Sequence, residues 1–400
     1  MEFKGLLLSG SEDRIYGGGS CIALEDRPNL AAVEPEAVGV TFLAETFPAE
    51  TYRWNADPDM LIARNAFADS VLQGQAAMAD RVVAASVALT IDHAVIAHSV
   101  IYLPSADGAP NILYQTYRPN DRPATSLIGA DLVAAAENPS FYRADAAYMY
   151  LGSAGSFNYG HWLVDDLTRA KTWLDFVATT GTRPVVVLPM FGAGMDAVRR
   201  KSLQTLIDPD IEVEFIDPNR AYRFHGLLYA TPTSFHPVSK SPAALDFVID
   251  RARRLLPPSQ LTRRDRIFVA RRSEQGRSIL NQPELIEMLE QFGFTMIYSE
   301  DHDFVEQVQI FSNASVIIGQ MGAAMTNTMF CRSTTSIIYL APNGWVEPFY
   351  LDLSSACGIQ YRVLYDDVMR SDKPPHLSDF QVPVDVLASY LTTMGLRVAA

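Results

Sequence analysis

The chain of 400 residues is long enough for two or three domains, and with 48% hydrophobic and 20% charged residues it has an ordinary soluble globular composition. A net charge of −14 argues against a general nucleic-acid binder and against an anionic membrane surface as a generic partner. The three cysteines give neither a disulfide framework nor a metal-ligand spacing. The N-terminal apolar run is too short for a signal peptide, and no segment reaches membrane-spanning length. We therefore expect a cytoplasmic protein, with peripheral attachment at the inner membrane face left open.

Residues 1–140 contain short runs of β character separated by turn-rich segments, which predicts a β-rich region with few long helices. Asp57-Pro-Asp59 superficially matches a metal-binding Asp-x-Asp motif. It contains a proline and follows no clear buried strand, so we interpret it as a turn, and we interpret Asp208-Pro-Asp210 in the same way.

The region 141–260 changes to an α/β pattern, whose best-defined part is a strand, a glycine-rich turn and a helix over residues 146–177. Helical spacing puts an apolar stripe on one face and a polar stripe with His161 and Asp165 on the other. The two side chains are one turn apart and can touch, at the helix end where open α/β sheets present chemistry. A plain solvated helix face explains the same pair, so both interpretations stay open. His225 and His236, near strand ends, are interpreted as satisfied surface histidines.

Nine arginines and two acids fall between residues 251 and 277 of this acidic chain. Part of the cluster is a solvated helix face. Arg271 and Arg277 instead lie in the loop after the predicted strand RIFVA, where arginines are well placed to hold phosphate oxygens. Ion pairing with the acidic remainder of the protein explains the cluster equally well.

Between residues 265 and 365, short β-branched strands alternate with helices, which predicts a parallel sheet covered on both faces. The small-residue segment 319–327 (GQMGAAMTN) forms a loop that opens a helix and lets backbone approach a ligand. Asp301 and Asp303 follow a strand and are the best metal candidates in the chain, but we favour a helix cap. A proline-rich loop and an amphipathic helix form the tail, residues 371–400.

Three motifs taken together resemble glycosyltransferase family 61, a group with many bacterial capsular and extracellular polysaccharide biosynthesis proteins. Residues 158–169 match the pattern N-x-G-H-W-L-x-D-x-L-P-R, residues 271–281 match S/A-R-R…R-x-I-x-N, and residues 306–327 match E-Q…G-x-H-G-A-x-x-x-N. Each motif is weak alone, but three in order at familiar spacing are fairly specific. The resemblance covers roughly residues 145–365.

The resemblance implies an α/β fold of GT-B type, in which two Rossmann-like domains face each other across a cleft. The domains expected are a β-rich N-terminal region (1–140), an acceptor-side lobe (141–260), a nucleotide-sugar lobe (261–370) and the tail (371–400). The implied enzyme is an inverting hexosyl- or pentosyltransferase of polysaccharide biosynthesis that needs no metal or other cofactor. Its partners would be a nucleotide-sugar donor and a glycan or lipid-linked acceptor, with a homo-oligomer left open.

Within this scheme, Asp165 or His161 is the base that deprotonates the acceptor hydroxyl, or the two act as a pair in which Asp165 orients the imidazole. Arg271 and Arg277 neutralise the diphosphate. The remaining donor-binding residues are small or carry amides: Asn281, Gly319, Gly322, Ala323 and Asn327. We expect the two asparagines among them to fix loops rather than to do chemistry. Four further cleft residues follow from the motifs: Asn158, Arg169, Glu306 and Gln307.

Two departures from the family pattern fall in the nucleotide-sugar half. Met321 stands where the family usually has His, and Tyr339 stands where it usually has Glu. Thr168 replaces a proline of the first motif. These changes favour one alternative, a non-catalytic nucleotide- or glycan-binding partner of a polysaccharide assembly system. A sugar-modifying transferase or an epimerase of GT-B form is a second alternative.

Overall fold

The computed structural model describes residues 4–8, 14–17, 20–23, 30–33, 39–97, 99–103, 111–113, 143, 145–153, 155–256, 265–272, 277–366 and 373–398. The chain forms two compact units. The first contains residues 1–51 and 82–251, and the second contains residues 52–81 and 252–400. Neither unit is continuous in sequence, because residues 52–81 join the C-terminal part of the chain.

The first unit is built on a six-stranded mixed sheet. In spatial order its strands are Val213–Ile216, Val185–Pro189, Tyr148–Tyr150, Leu227–Ala230, Ser86–Ile91 and Val40–Phe47. The first four strands are parallel and the last two are antiparallel to their neighbours. Every residue of Val185–Pro189 is buried, as expected for a parallel strand covered on both faces.

A second six-stranded sheet in this unit has the spatial order Tyr222–Phe224, Ala94–Ala97, Val100–Leu103, Asn111–Leu113, Lys4–Leu8 and Leu30–Val33. Its first three pairings are antiparallel and its last two are parallel. Side chains from both sheets share one apolar core that includes Ile91, Ile96 and Tyr150. Three two-stranded sheets also occur among the described residues: Arg14–Gly17 with Ser20–Ala23, Glu50–Arg53 with Asp80–Val83, and Ser234–Phe235 with Val238–Lys240.

The helix predicted after Tyr148–Tyr150 is present, but its geometry changes along its length. It begins with Tyr159–His161, continues through a π-helical turn at Trp162–Asp166 and a 3-10 turn at Leu167–Ala170, and ends as an α-helix, Lys171–Thr180. Gly181 closes it with φ +73°, a left-handed conformation that favours glycine. The helices Ala193–Leu206 and Pro242–Arg253 follow, in keeping with the α/β pattern predicted for this region.

The second unit contains a five-stranded sheet, parallel throughout, as the alternating pattern predicts. In spatial order its strands are Thr295–Ile297, Asp265–Val269, Ala314–Gln320, Ser336–Pro342 and Arg362–Asp366. Its α-helices are Ala66–Ala77, Gln282–Gln291, Phe304–Asn313, Phe349–Ala356 and Val384–Thr393. Its 3-10 helices are Pro58–Met60, Ser299–Asp301, Ala323–Phe330 and Pro375–Leu377.

Both readings of an Asp-Pro-Asp segment as a turn are confirmed. Asp57 accepts a hydrogen bond from the Asp59 N–H, and Asp208 does the same for Asp210. The preferred reading of Asp303 as a helix cap is also confirmed, because it forms a capping box with Glu306 at the start of Phe304–Asn313. The helix Ala66–Ala77 was not anticipated in the β-rich N-terminal region. No helix among the described residues is long and apolar enough to cross a membrane.

Candidate functional site

Four polar side chains of the first unit meet at the start of the irregular helix, and we call this group the His161 site: His161, Asp165, Ser234 and His236. Asn158 starts the helix, because its side chain accepts a hydrogen bond from the Gly160 N–H at 2.8 Å. Asp165 lies in the π-helical turn. Such turns occur frequently at functional sites, where the additional residue per turn changes which side chains point the same way.

A short hydrogen bond joins the imidazole to the carboxylate. Nδ1 of His161 lies 2.6 Å from Oδ2 of Asp165, and the Ser234 hydroxyl donates to Oδ1 of Asp165. The Asp165 side chain is 3% exposed, whereas that of His161 is 20% exposed. A carboxylate on Nδ1 fixes the tautomer with the proton on that atom, so Nε2 is the nitrogen that can accept a proton. The pair therefore has the arrangement of a general base held by a buried carboxylate.

Two neighbours hold the His161 ring in place. The ring of His236 lies with its centroid 4.3 Å from that of His161, at an interplanar angle of 56°. On another side, a Cβ added to Gly155 would lie 2.7 Å from Cγ and 2.9 Å from Nδ1 of His161. Any residue other than glycine at position 155 would displace the imidazole, because real Cβ atoms do not approach other atoms so closely.

A buried ion pair between Arg169 and Asp166 lies next to the His161 site and holds its backbone in place. Arg169 Nη2 lies 2.6 Å from Oδ1 of Asp166, and the Ser156 hydroxyl donates to Oδ2 of Asp166 at 2.6 Å. Burial raises the pKa of Asp166. Arg169 also donates to four backbone carbonyls, those of Leu151, Gly152, Asp165 and Ala230. Arg169, which the sequence suggested as a cleft residue, is itself only 1% exposed and ties two strand ends to the helix.

The polar stripe of this helix is not a solvated face, which corrects one of the two sequence interpretations. Asp165, Thr168 and Thr172 are all buried. Thr168 pairs with the Thr233 hydroxyl at 2.6 Å, and Thr172 pairs with that of Thr46 at 2.8 Å. The stripe therefore packs inside the first unit. Its hydroxyl groups tolerate burial because each has a hydrogen-bond partner.

The second unit contains the other candidate, which we call the Arg277 site: Arg271, Arg277, Gly322 and Tyr350. A Cβ added to Gly322 would lie 3.3 Å from Nη1 of Arg271 and 3.7 Å from Nη2 of Arg277. Both guanidinium groups therefore reach the same glycine, which immediately precedes the helix Ala323–Phe330. Arg277 has φ +55°, a conformation uncommon outside glycine, and its carbonyl accepts from the Gln320 side chain at 2.5 Å.

The electrostatics of the Arg277 site favour an anion. Burial and the neighbouring Arg271 lower the pKa of Arg277 to about 10, and burial lowers the pKa of Arg271. In the described part of the chain, no carboxylate lies within 4 Å of the Arg277 guanidinium, and its Nε is buried without a hydrogen-bond partner. Two cations converge here at an energetic cost that a bound anion would relieve.

Tyr350 adds a neutral donor to the Arg277 site. Its hydroxyl oxygen accepts a hydrogen bond from the Gly322 N–H, and burial raises its pKa, so the phenol keeps its own proton at neutral pH. Arg272, the neighbour of Arg271, behaves differently. It is exposed and pairs with Asp301 at 2.6 Å and with Glu300 at 3.1 Å. The arginine cluster of the sequence therefore divides into a surface ion pair and the Arg277 site.

The two predicted donor-binding asparagines and the predicted cleft residues Glu306 and Gln307 hold secondary structure together. Asn281 exchanges hydrogen bonds of 2.8 and 2.9 Å with the backbone of Val382. Asn327 donates to the Gln307 side chain at 2.7 Å and so joins two helices, while Glu306 belongs to the capping box. All four side chains support the loops of the second unit.

The remaining small residues differ in what they contact. A Cβ on Gly319 would lie 2.3 Å from Sδ of Met325 and 3.1 Å from Cβ of Val269, so this glycine permits close strand–helix packing. Gly322 and Ala323 are partly exposed. They are the predicted small residues that lie at the Arg277 site itself.

Both positions that depart from the family pattern are fully buried. Met321 lies in the core of the second unit, and its N–H donates to the Leu340 carbonyl at 3.1 Å. Tyr339 packs between the rings of Tyr350 and Tyr361, with centroid distances of 5.0 and 5.1 Å. Its hydroxyl pairs with that of Thr328 at 3.0 Å. An aromatic cluster thus occupies the place where a family glutamate is expected.

Two members of the His161 site were missed from the sequence. His236 was interpreted as a surface histidine, and Ser234 was not considered. Ser234 lies in a short strand and His236 in the turn that follows it, both well separated from the helix in sequence. The signal available in the sequence was a polar loop after a buried strand. Among the described residues, no group of three or more His, Cys, Asp or Glu side chains could hold a metal ion.

Comparisons with known proteins place these two sites in a family context. Residues 159–338 match the family model described as Glycosyltransferase 61. The chain is also similar to proteins named EGF domain-specific O-linked N-acetylglucosamine transferase. The Xenopus laevis protein is 31% identical over 118 residues, which is 28% of this chain and 22% of that protein. The Gallus gallus and Mus musculus proteins are each 32% identical over 101 residues, 24% of this chain and 19% of theirs.

The chain spans about a fifth of the length of these curated relatives. The matched segment 159–338 nevertheless contains most of both sites, including His161, Asp165, His236, Arg271 and Arg277. The similarity supports a glycosyltransferase, and it confirms over residues 159–338 the resemblance to glycosyltransferase family 61 that the three motifs predict.

Proposed function

We propose that the protein is an inverting glycosyltransferase that moves a sugar from a nucleotide-sugar to a hydroxyl acceptor. The observation that carries this proposal is the convergence of Arg271 and Arg277 on Gly322, within a segment that matches a glycosyltransferase family. Two partly buried guanidinium groups that converge on one point are suited to a diphosphate, because arginine binds phosphate oxygens in a fixed fork geometry.

The second unit acts on the leaving group in this proposal. When the bond between the anomeric carbon and the diphosphate oxygen breaks, its electron pair leaves with the diphosphate. Arg271 and Arg277 neutralise the charge that develops, and the Tyr350 hydroxyl can donate a hydrogen bond to it. Groups already in position for that charge lower the barrier because they need no reorganisation during the reaction.

The first unit supplies the base. The acceptor hydroxyl attacks the anomeric carbon from the face opposite the diphosphate and passes its proton to Nε2 of His161. Asp165 remains on Nδ1 and stabilises the imidazolium that forms. Of the possibilities that the sequence left open, this assignment is the pair in which Asp165 orients the imidazole, and it is supported by the burial of Asp165 and the partial exposure of His161.

The finer features of the function follow as parts of the same proposal. N-acetylglucosamine is the first donor sugar to test, since the similar animal proteins are named for its transfer. A glycan or another hydroxyl compound is the acceptor, with bacterial polysaccharide biosynthesis in the cytoplasm as the proposed setting. Arg271 and Arg277 take the place that a metal ion has in other transferases. The GT-B type of fold stays a prediction.

A non-catalytic nucleotide- or glycan-binding protein is the alternative. The observation that favours it is the burial of Met321 and Tyr339, which replace the imidazole and carboxylate expected in the donor half. Such a protein would bind a nucleotide or glycan and would show no turnover.

Calorimetric titration of the protein with UDP, GDP, CDP, ADP and their common sugar conjugates tests the donor half. We expect one nucleoside diphosphate to bind, and the Arg271→Ala variant to lose that binding. Arg272→Ala is the matched control, because this neighbouring arginine pairs with surface acids and should leave affinity unchanged. Failure of the folded parent protein to bind any of these compounds would contradict the proposal. Release of the nucleoside diphosphate in the presence of acceptors would then separate the enzyme from the binding protein.

A further inference from the structure

Trp345 differs from the other tryptophans of the chain in its hydrogen bonding. All four tryptophans lie in the described residues. Three donate their indole N–H: Trp54 to Asp352 at 2.6 Å, Trp162 to Ser202 at 2.9 Å, and Trp173 to the Pro184 carbonyl at 2.7 Å. For Trp345, no hydrogen bond of the indole N–H is found in the described part of the chain. Trp345 is only half-buried, so this N–H is available to water or to a ligand.

The same indole lies against the Arg277 site. Cζ of Arg277 is 4.3 Å from the ring centroid of Trp345, within the range of a cation–π contact. The buried Nε of Arg277 also has no hydrogen-bond partner in the described residues. A buried donor without a partner in the described residues therefore lies beside an indole whose N–H makes no hydrogen bond there.

The loop that carries Trp345 is held in position from several sides. The Asn343 N–H donates to the Asp366 carbonyl at 2.6 Å, and Gly344 has φ +86°. A Cβ on Gly344 would lie 3.0 Å from Cγ of Pro375. The Glu347 side chain accepts from the Phe349 N–H at 2.9 Å and so caps the next helix. A large aromatic side chain on a fixed loop is suited to stacking, since little conformational entropy is lost on binding.

From these contacts we propose that Trp345 is the platform for the nucleoside part of the donor. The indole face stacks on the base, and its N–H donates to an oxygen of the same nucleoside, while the phosphates lie on Arg271 and Arg277. This inference rests on the proposed function and names the part of the donor that each side chain recognises. Stacking tolerates any base, so Trp345 contributes affinity for a nucleoside without selecting its identity.

Comparison of nucleoside diphosphates with inorganic pyrophosphate tests the assignment, because pyrophosphate has the phosphates without the nucleoside. The full-length parent, Trp345→Ala, Trp345→Phe and Arg277→Met are titrated with UDP, GDP, CDP, ADP and pyrophosphate. We expect Trp345→Ala to reduce the affinity for the tightest-binding nucleoside diphosphate at least about ten-fold. The affinity for pyrophosphate should stay within about two-fold of the parent value. Trp345→Phe keeps an aromatic ring for stacking and should lose less of the affinity for the nucleoside diphosphate. Arg277→Met should weaken both compounds.

Three outcomes would overturn the inference, and they are distinguishable. Equal weakening of both compounds in Trp345→Ala would show that the ring only positions Arg277. Unchanged affinity for both would show that Trp345 does not contact the donor. Binding of neither compound by the parent would remove the donor site itself and the proposed function with it.

Tryptophan fluorescence provides a second readout that needs no alanine variant. The tightest nucleoside diphosphate should quench indole emission in the parent, and the quenching should be lost in Trp345→Phe. Quenching that persists in Trp345→Phe would contradict the assignment.

Discussion

Nδ1 of His161 and Oδ2 of Asp165 lie 2.6 Å apart, one helical turn from each other and at the exposed end of an otherwise buried polar stripe. The carboxylate fixes the imidazole from the protein side. The opposite nitrogen is thereby set for proton transfer.

Replacing Asp165 with Asn should leave the fold intact and reduce transfer by about 10²–10⁴-fold, because the amide no longer stabilises the imidazolium. The reduction should fall on kcat with little change in KM for the donor. Asp175→Asn is the matched control, since Asp175 lies on the same helical segment in an exposed pair with Lys171. Steady-state kinetics on both variants measure the effect. Parental turnover in Asp165→Asn would refute the role of this pair.

Gly155→Ala should displace the His161 ring, because the new methyl group would lie 2.7 Å from Cγ of the imidazole. We expect at least about ten-fold lower kcat with nucleotide affinity unchanged, since the Arg277 site lies in the other unit. Gly194→Ala is the control in the first unit, where an added Cβ meets nothing within 4 Å. An active Gly155→Ala enzyme would show that the position of the ring is unimportant.

Gly322→Ala should weaken nucleoside diphosphate binding without unfolding the protein. The backbone of Gly322 is extended, with φ 174°, so alanine adopts it without strain. Its methyl group would lie 3.3 Å from Nη1 of Arg271, in the space between the two arginines. Calorimetry should show at least about ten-fold weaker binding, and thermal unfolding should show a Tm close to that of the parent. Unchanged affinity would mean that the phosphates bind elsewhere.

Arg277→Met should raise the stability of the fold while it weakens nucleotide binding. Burial and Arg271 lower the pKa of Arg277 to about 10, so at neutral pH the folded protein carries this charge at a cost. Methionine keeps an apolar stem and removes the charge. A gain of about 1 kcal/mol would raise Tm by roughly 2–4 °C. Scanning calorimetry at pH 7 measures the shift, and a lower Tm would show that the contact with Trp345 outweighs the repulsion.

The same pKa gives binding a defined pH dependence. Below about pH 10 Arg277 is charged and attracts the diphosphate, and above it the free protein loses this proton. The affinity for the nucleoside diphosphate should therefore fall as the pH rises through 10. The contribution of Arg277 to the stability of the fold should increase as the pH rises from 10 to the ordinary pKa of arginine. Titrations between pH 8 and pH 10.5 should show the decrease in the parent and not in Arg277→Met.

The alternating elements of the second unit were predictable because parallel strands buried on both faces appear as short continuous apolar runs, as in Ala314–Gln320. The contact of His161 with Asp165 followed from helical spacing alone. Ser234 could not be anticipated, because it reaches Asp165 across 69 residues of sequence and only through tertiary packing. The helix Ala66–Ala77 was missed because its buried residues are Ala68, Val71 and Gln75, which form no strong apolar stripe.

The hydrogen bonds of Asp352 have a consequence for how the protein is made. Trp54 and Tyr52 both donate to this carboxylate, and Trp54 is separated from it by 298 residues. During synthesis, residues 52–81 leave the ribosome long before their partners in the second unit exist, so that unit can be completed only after Asp352 and its helix have been made. Removal of the segment that contains Asp352, by a protease or by truncation, would leave residues 52–81 without these partners and expose their apolar side chains.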